Sequence, residues 1–234
     1  MPPILLLDYD GTLARTDEAV ARCMFDTLAD ATGTPPDPAR VAEVVARGLL
    51  IRDAFASLLG RAQDAESEAL VQAYLARYAE YDRRHARAYP GVAETLRELS
   101  ARGLRLLLVT NKETANAELS LRHVGLRELI PAIVGAEAGR PSKPDPQLFH
   151  DRIAPQFPGA APSDFIMVGD TETDLAFARA AGLRSAWARY GFGRADACEA
   201  LAPDFRLSTF ADLARLPLEA GGGEPAGATP PAGG

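Results

Sequence analysis

Ile4-Leu5-Leu6-Leu7-Asp8-Tyr9-Asp10-Gly11-Thr12 joins four consecutive aliphatic residues to two carboxylates and a glycine turn. An unbroken aliphatic run of that length, ended by turn residues, reads as a strand buried on both faces. Side chains alternate along a strand, so Asp8 and Asp10 leave its tip on one face. Two carboxylates that close repel, and a cation or a shared proton must offset the repulsion. A divalent metal does so, and a metal beside paired acids is equipment for phosphoryl transfer. A solvated Asp-Gly turn would account for the same residues, so the rest of the chain has to decide.

Immediately after this strand the pattern is helical. Val20, Met24 and Leu28 recur at four-residue spacing, as do Val41 and Val45, then Leu70, Tyr74 and Tyr78. Thr32-Gly33-Thr34-Pro35-Pro36, Gly48 and Gly60 interrupt it. Residues 17–87 therefore read as a helical unit inserted after the first strand. Beyond Tyr89-Pro90-Gly91, helices alternate with apolar strands: helix 92–102, strand 104–109, helix 113–124 and a short strand at 130–134. A helix near 147–157, strand 165–168, helix 172–181 and strand 184–188 follow. This order predicts an α/β fold, a Rossmann-like parallel sheet covered on both faces, with an inserted α-helical cap. The core is expected from residues 1–16 and 88–218, and the Gly/Pro/Ala-rich tail 219–234 reads as disordered.

The 234 residues are 47% hydrophobic and 24% charged, a globular composition, with a net charge of −7. That balance argues against a nucleic-acid partner or an anionic membrane, while a local metal or lysine can still receive an anionic substrate. No run reaches membrane-spanning length. Two cysteines, Cys23 and Cys198, lack metal or framework spacing and fit a reducing cytoplasm. His85, His123 and His150 lie in no motif. Lys112 and Lys143 are the only lysines among 25 basic residues. A lysine kept in so arginine-rich a chain marks a place where a compact ammonium fits and a planar fork does not.

Three further segments fall at strand ends, where open parallel sheets hold ligands. Thr110-Asn111-Lys112 offers a hydroxyl and an amide to a phosphate oxygen, or an ordinary helix cap. Lys143 lies in Ser142-Lys143-Pro144-Asp145-Pro146, a loop stiffened by two prolines. Gly169-Asp170-Thr171-Glu172-Thr173-Asp174 places a carboxylate at a strand tip and a second one helical turn on, suited to a metal and its surroundings or to a helix N-terminus.

Taken in order, Asp8-x-Asp10-Gly11-Thr12, Thr110-Asn111, Lys143-Pro144 and Gly169-Asp170-x-x-x-Asp174 resemble the haloacid dehalogenase superfamily over residues 3–190. The resemblance implies that Asp8 is the nucleophile and Asp10 the acid and base. It implies that Mg2+ is held by Asp8, the carbonyl of Asp10 and Asp170, with Asp174 supporting the metal. Thr110, Asn111 and Lys143 would bind the phosphoryl group. Dehalogenases of this kind lack the second aspartate, so Asp10 points to a phosphatase. The helical insertion and the Thr-Asn-Lys and Lys-Pro segments most resemble the phosphoglycolate phosphatase branch. A small phosphorylated metabolite is the expected partner, with phosphoglycolate first. A beta-phosphoglucomutase-like transfer, a pyrophosphatase or nucleotidase, and a non-catalytic relative are the alternatives. Arg15, Arg47 and Arg52 are candidates for contact with a second anionic group. The sequence carries no signal for oligomeric state.

Overall fold

The computed structural model describes residues 3–60, 62 and 64–218, so the expectation of a disordered tail lies outside the described residues. The chain opens with β1 (Ile4–Leu7) and a two-residue β2 (Ala14–Arg15). Four helices follow: α1 (Asp17–Thr32), α2 (Pro38–Val45), α3 (Ile51–Leu59) and α4 (Ala65–His85). β3 (Arg87–Ala88) then leads into alternation: α5 (Val92–Ala101), β4 (Arg105–Glu113), α6 (Thr114–His123) and β5 (Ile133–Ala136). Next come β6 (Phe165–Gly169), α7 (Glu172–Ala180), β7 (Arg184–Ala188), α8 (Ala195–Ala200) and β8 (Phe205–Leu207).

Six strands form one parallel sheet in the order β5-β4-β1-β6-β7-β8, an α/β Rossmann-like fold. β1 is central, and its aliphatic run is explained by burial on both faces. Leu5 and Leu7 pack with Leu106, Leu108, Ile166 and Val168 on one side. Ile4 and Leu6 pack with Leu107, Val109, Phe165 and Met167 on the other. Each such side chain removed from water contributes roughly 1.5–3 kcal/mol. The register Leu7↔Leu108 and Leu7↔Val168 brings Val109 of β4 and Gly169 at the tip of β6 level with Asp8.

The four helices between β2 and β3 pack around their own cluster, which includes Met24, Leu28, Val41, Phe55, Leu70, Tyr74 and Tyr78. β2 and β3 pair antiparallel, Ala14 opposite Ala88, so the chain leaves and re-enters the α/β part side by side.

Two expected elements differ. Residues 147–157 do not form an α-helix: a π-helical turn at Phe149–Ile153 passes into a 3-10 turn at Ala154–Gln156. Pro155 has no N–H to donate, and its ring crowds the preceding turn. β4 continues through Thr110-Asn111-Lys112 to Glu113 with an irregular register after Val109, rather than stopping at Val109. Thr110 and Asn111 therefore do not cap α6: its N-cap is Glu113, with no side-chain cap bond.

Candidate active site

The main-chain N–H of Asp8 donates to the Val168 carbonyl at 2.9 Å, carrying the β1–β6 ladder one residue past the strand. Asp8 thus lies beside Asp170, which follows β6, and Asp174 on the first turn of α7. All three are buried, as is Lys143. Lys143 Nζ donates to Asp8 Oδ1 and to Asp174 Oδ1, each at 2.6 Å. The other oxygen of Asp174 accepts from the Thr171 N–H at 3.0 Å and its hydroxyl at 2.7 Å. Asp174 therefore caps α7 and holds the lysine at once, with both oxygens engaged.

Asp170 is clamped from three sides. Thr12 Oγ1 donates to Oδ1 at 3.2 Å, and the N–H groups of Phe192 and Gly193 donate to Oδ2 at 3.0 and 3.2 Å. Gly11 stands against the same carboxylate at φ +81°, and a Cβ there would lie 2.1 Å from Asp170 Oδ2. Only glycine tolerates both that backbone and that approach. The glycine turn after the first strand thus makes room for a carboxylate 159 positions along the chain.

Burial dominates the electrostatics. It pushes the Asp8 carboxyl up to about 7, opposed by Lys143 and reinforced by Asp174 and Asp10. Burial, then Asp174 and Asp8, push Asp170 well above the usual carboxylate range. Burial also works against the Lys143 charge, yet the two carboxylates win and hold that ammonium above its ordinary range. Asp8, Asp170 and Asp174 each offer an oxygen within 4.8 Å of the others. Three carboxylates around one ammonium leave buried negative charge uncompensated, and an all-oxygen donor set of this kind fits a hard divalent cation.

Asp10 turns elsewhere. Its Oδ1 accepts from Thr16 Oγ1 at 2.6 Å and from Lys112 Nζ at 2.9 Å. Its carboxylate is outside the acidic triad, while Asp8 and Asp10 both line one cavity between the strand tips and the helices. Thr110, Asn111, Lys112 and Lys143 line it too, opposite Val20, Met24, Val44 and Leu75.

Asn111 behaves differently from the sequence expectation. Both amide hydrogens are engaged, Nδ2 donating to the Lys143 carbonyl at 2.9 Å and the Gly48 carbonyl at 3.1 Å. The side chain has no donor left for a phosphate oxygen, and it ties the Lys143 loop to the loop after α2. Thr173 makes a parallel tie, its hydroxyl donating to the Arg47 carbonyl at 2.8 Å. None of Arg15, Arg47 and Arg52 lines the cavity. Arg15 is exposed beside Asp17, and Arg47 reaches Ser57 at 3.4 Å. Among the described residues, the cations that line the cavity are Lys112 and Lys143.

With this geometry in place, likeness to known proteins is informative. A family model described as haloacid dehalogenase-like hydrolase matches residues 5–188. Phosphoglycolate phosphatase of Rhodospirillum rubrum is 36% identical over 240 residues, covering 98% of this chain and 97% of that protein. Phosphoglycolate phosphatase 1 of Pseudomonas aeruginosa is 29% identical, covering 91% and 79%. Among solved structures, a predicted phosphoglycolate phosphatase from Haemophilus somnus superposes with a TM-score of 0.80 at 24% identity, covering 91% of this chain and 96% of that one. CbbY from Rhodobacter sphaeroides, in complex with xylulose-(1,5)-bisphosphate, superposes with a TM-score of 0.76 at 23% identity, with the same coverage.

Proposed function

Because this chain belongs to the haloacid dehalogenase-like hydrolases and is a phosphoric monoester hydrolase, we propose that it is a magnesium-dependent phosphatase acting through a phosphoryl-Asp8 intermediate. Phosphoglycolate is the first candidate substrate, since relatives matched over 98% and 82% of this chain carry that activity in their names. The observation that carries the mechanism is the division of labour at the end of β1. Asp8 is fixed by Lys143 among buried charges, while Asp10 is fixed by Thr16 and Lys112 at the same cavity.

Asp8 attacks phosphorus, the bond to the leaving oxygen breaks, and Asp10 gives that oxygen its proton. Water then attacks phosphorus, Asp10 takes the proton, and the bond to Asp8 breaks to release phosphate. Lys143 offsets charge on Asp8 and on the transferring group. The buried Thr110 hydroxyl, whose oxygen already accepts from the Lys112 N–H at 3.1 Å, donates its proton to a phosphoryl oxygen. A loose, metaphosphate-like transition state needs such positioning and neutralisation more than it needs a strong base. Asp8, Asp170 and the Asp10 carbonyl would hold Mg2+, with Asp174 behind them, and the ion would supply positive charge to the phosphoryl oxygens. Residues 17–87 act as a cap over the cavity of the core formed by residues 1–16 and 88–218, excluding water. The cap wall is mainly aliphatic, which suits a small leaving group better than a nucleoside or polyol needing many hydrogen bonds. Among the described residues no helix is long and apolar enough to cross a membrane. The buried free thiols Cys23 and Cys198 fit a reducing cytoplasm.

A panel of phosphoglycolate, nucleotides, pyrophosphate and hexose phosphates with Mg2+ tests this reading. Phosphoglycolate is expected to give the highest kcat/KM. An isomerised sugar phosphate without phosphate release would instead identify a mutase, and turnover of no ester would remove the phosphatase. Asp10→Asn is expected to lower kcat/KM for phosphoglycolate about 10²-fold, the ordinary size of general acid catalysis. The same change should leave kcat/KM for p-nitrophenyl phosphate nearly intact, because that leaving group departs as a stable anion. Equal losses on both esters would remove Asp10 as the proton donor.

A further inference from the structure

Behind Asp10 a line of hydrogen bonds leads away from the cavity, and beyond Lys112 the chemistry above makes no use of it. Lys112 Nζ, on a side chain 8% exposed, donates to Asp10 Oδ1 at 2.9 Å and to the Tyr78 hydroxyl at 2.7 Å. Tyr78 donates to Asp82 Oδ1 at 3.2 Å. Asp82, buried on α4, also accepts from the Ser120 hydroxyl and, at 2.9 Å on Oδ2, from His123 Nδ1, both on α6. The line thus runs from β4 into α4 and back to α6.

Each bond in it has a required direction. A phenol has one proton, and a carboxylate can only accept. With Asp82 taking the Tyr78 proton, the phenol oxygen must present a lone pair to Lys112. Without Asp82 the hydroxyl would be free to turn its proton toward the ammonium, replacing attraction with repulsion in a buried place. Held at that second point, Lys112 joins Thr16 on the same oxygen of Asp10. Among the described residues Asp10 Oδ2 has no hydrogen-bond partner, and it is the oxygen left to carry the proton.

We propose that Tyr78 and Asp82 are positioning residues for proton transfer, holding Lys112 so that Asp10 keeps Oδ2 aimed at the leaving oxygen. Both lie on α4, so the seat of this helix against α6 and β4 is part of the acid–base apparatus as well as a wall of the cavity. The inference rests on Asp10 being the proton donor.

The test is kcat/KM of Tyr78→Phe and of Asp82→Asn on two esters, phosphoglycolate and p-nitrophenyl phosphate. Only the first needs a proton at P–O cleavage. Tyr78→Phe keeps the ring stacked on Tyr74, whose centroid is 5.2 Å away, and Asp82→Asn probes the line from its far end. Each is expected to lower kcat/KM for phosphoglycolate about 5–10-fold, part of the full acid contribution, and to change that for p-nitrophenyl phosphate less than about 2-fold. The double variant should be no worse than the poorer single one, since both break one line. A merely structural role would reduce both esters alike, and that result, or wild-type values for phosphoglycolate, overturns the proposal. If Asp10→Asn discriminates between the esters and these variants do not, the brace fails and the phosphatase reading stands. If Asp10→Asn does not discriminate either, the assignment of Asp10 fails and takes the brace with it.

Discussion

Asp8→Asn is expected to lower phosphate release on the order of 10⁴-fold or more, the scale at which loss of a covalent nucleophile registers. Added Mg2+ should not restore it, whereas wild-type activity stopped by EDTA should return with Mg2+. The fold should survive. In the metal-free protein burial holds the Asp8 carboxyl at about 7, above the 3.8 of an ordinary aspartate. Between those two values the folded chain binds more protons at this site than the unfolded chain, so stability falls as pH rises through that window. Asparagine removes the term. Thermal melting in EDTA at pH 8 should therefore find Asp8→Asn at least as stable as wild type, with a shallower decline from pH 5 to pH 8. Mg2+ should raise the wild-type Tm more than that of the variant, because a ligand that binds only the folded state stabilises it by mass action. Near-wild-type turnover in Asp8→Asn would remove Asp8 as the nucleophile.

The residues of this site that could be read in the sequence are those that directly follow the buried apolar run of a strand. Asp8, Thr110 and Asp170 each follow an apolar run, and a parallel sheet brings such ends together without any need to know the loops. Lys143 was legible for another reason, the rarity of lysine in this chain. What escaped reading depends on partners set by tertiary packing. The engagement of Asn111 with Gly48 and Lys143 follows from how the loop after α2 approaches the strand tips, and no spacing encodes that distance. Arg15, Arg47 and Arg52 suit an anionic substrate by residue type, but the helices turn aliphatic side chains toward the cavity, and Arg15, on β2, is exposed beside Asp17. The clamp on Asp170 by Phe192 and Gly193 could have been suspected from Gly191-Phe192-Gly193 just past β7. A Cβ at Gly191 would lie 2.2 Å from that of Asp170. The Lys112–Tyr78–Asp82 line had weaker signals, since Tyr78 reads as an ordinary core position and Asp82 as a polar residue at the end of a helix. The first description is accurate for burial, the second hides that Asp82 is buried, and both are silent on hydrogen bonding.

Replacing Lys143 should separate charge from shape. Lys143→Met leaves Asp8, Asp170 and Asp174 within 4.8 Å of one another with no cation among them. Breaking a buried ion pair from one side costs about 3–5 kcal/mol. The carboxylates can lessen that cost by taking up protons, so the Tm deficit of Lys143→Met should be larger at pH 8 than at pH 5. The wild-type ammonium, held above its ordinary range by Asp174 and Asp8 against burial, stays charged across that interval and contributes no slope of its own. Turnover should fall about 10³-fold, since charge on the phosphoryl group and on Asp8 goes unopposed in a water-poor site. Lys143→Arg restores the charge but not its form. One nitrogen now reaches both Asp8 Oδ1 and Asp174 Oδ1 at 2.6 Å from a side chain 2% exposed. A guanidinium spreads its donors over a planar fork that this space would accept only by displacing Asp8 or the phosphate. Lys143→Arg is therefore expected to recover most of the Tm lost in Lys143→Met while remaining at least about 10-fold below wild type in kcat. Full recovery of kcat would show that the site needs only a positive charge, and would defeat the argument that a compact ammonium is required.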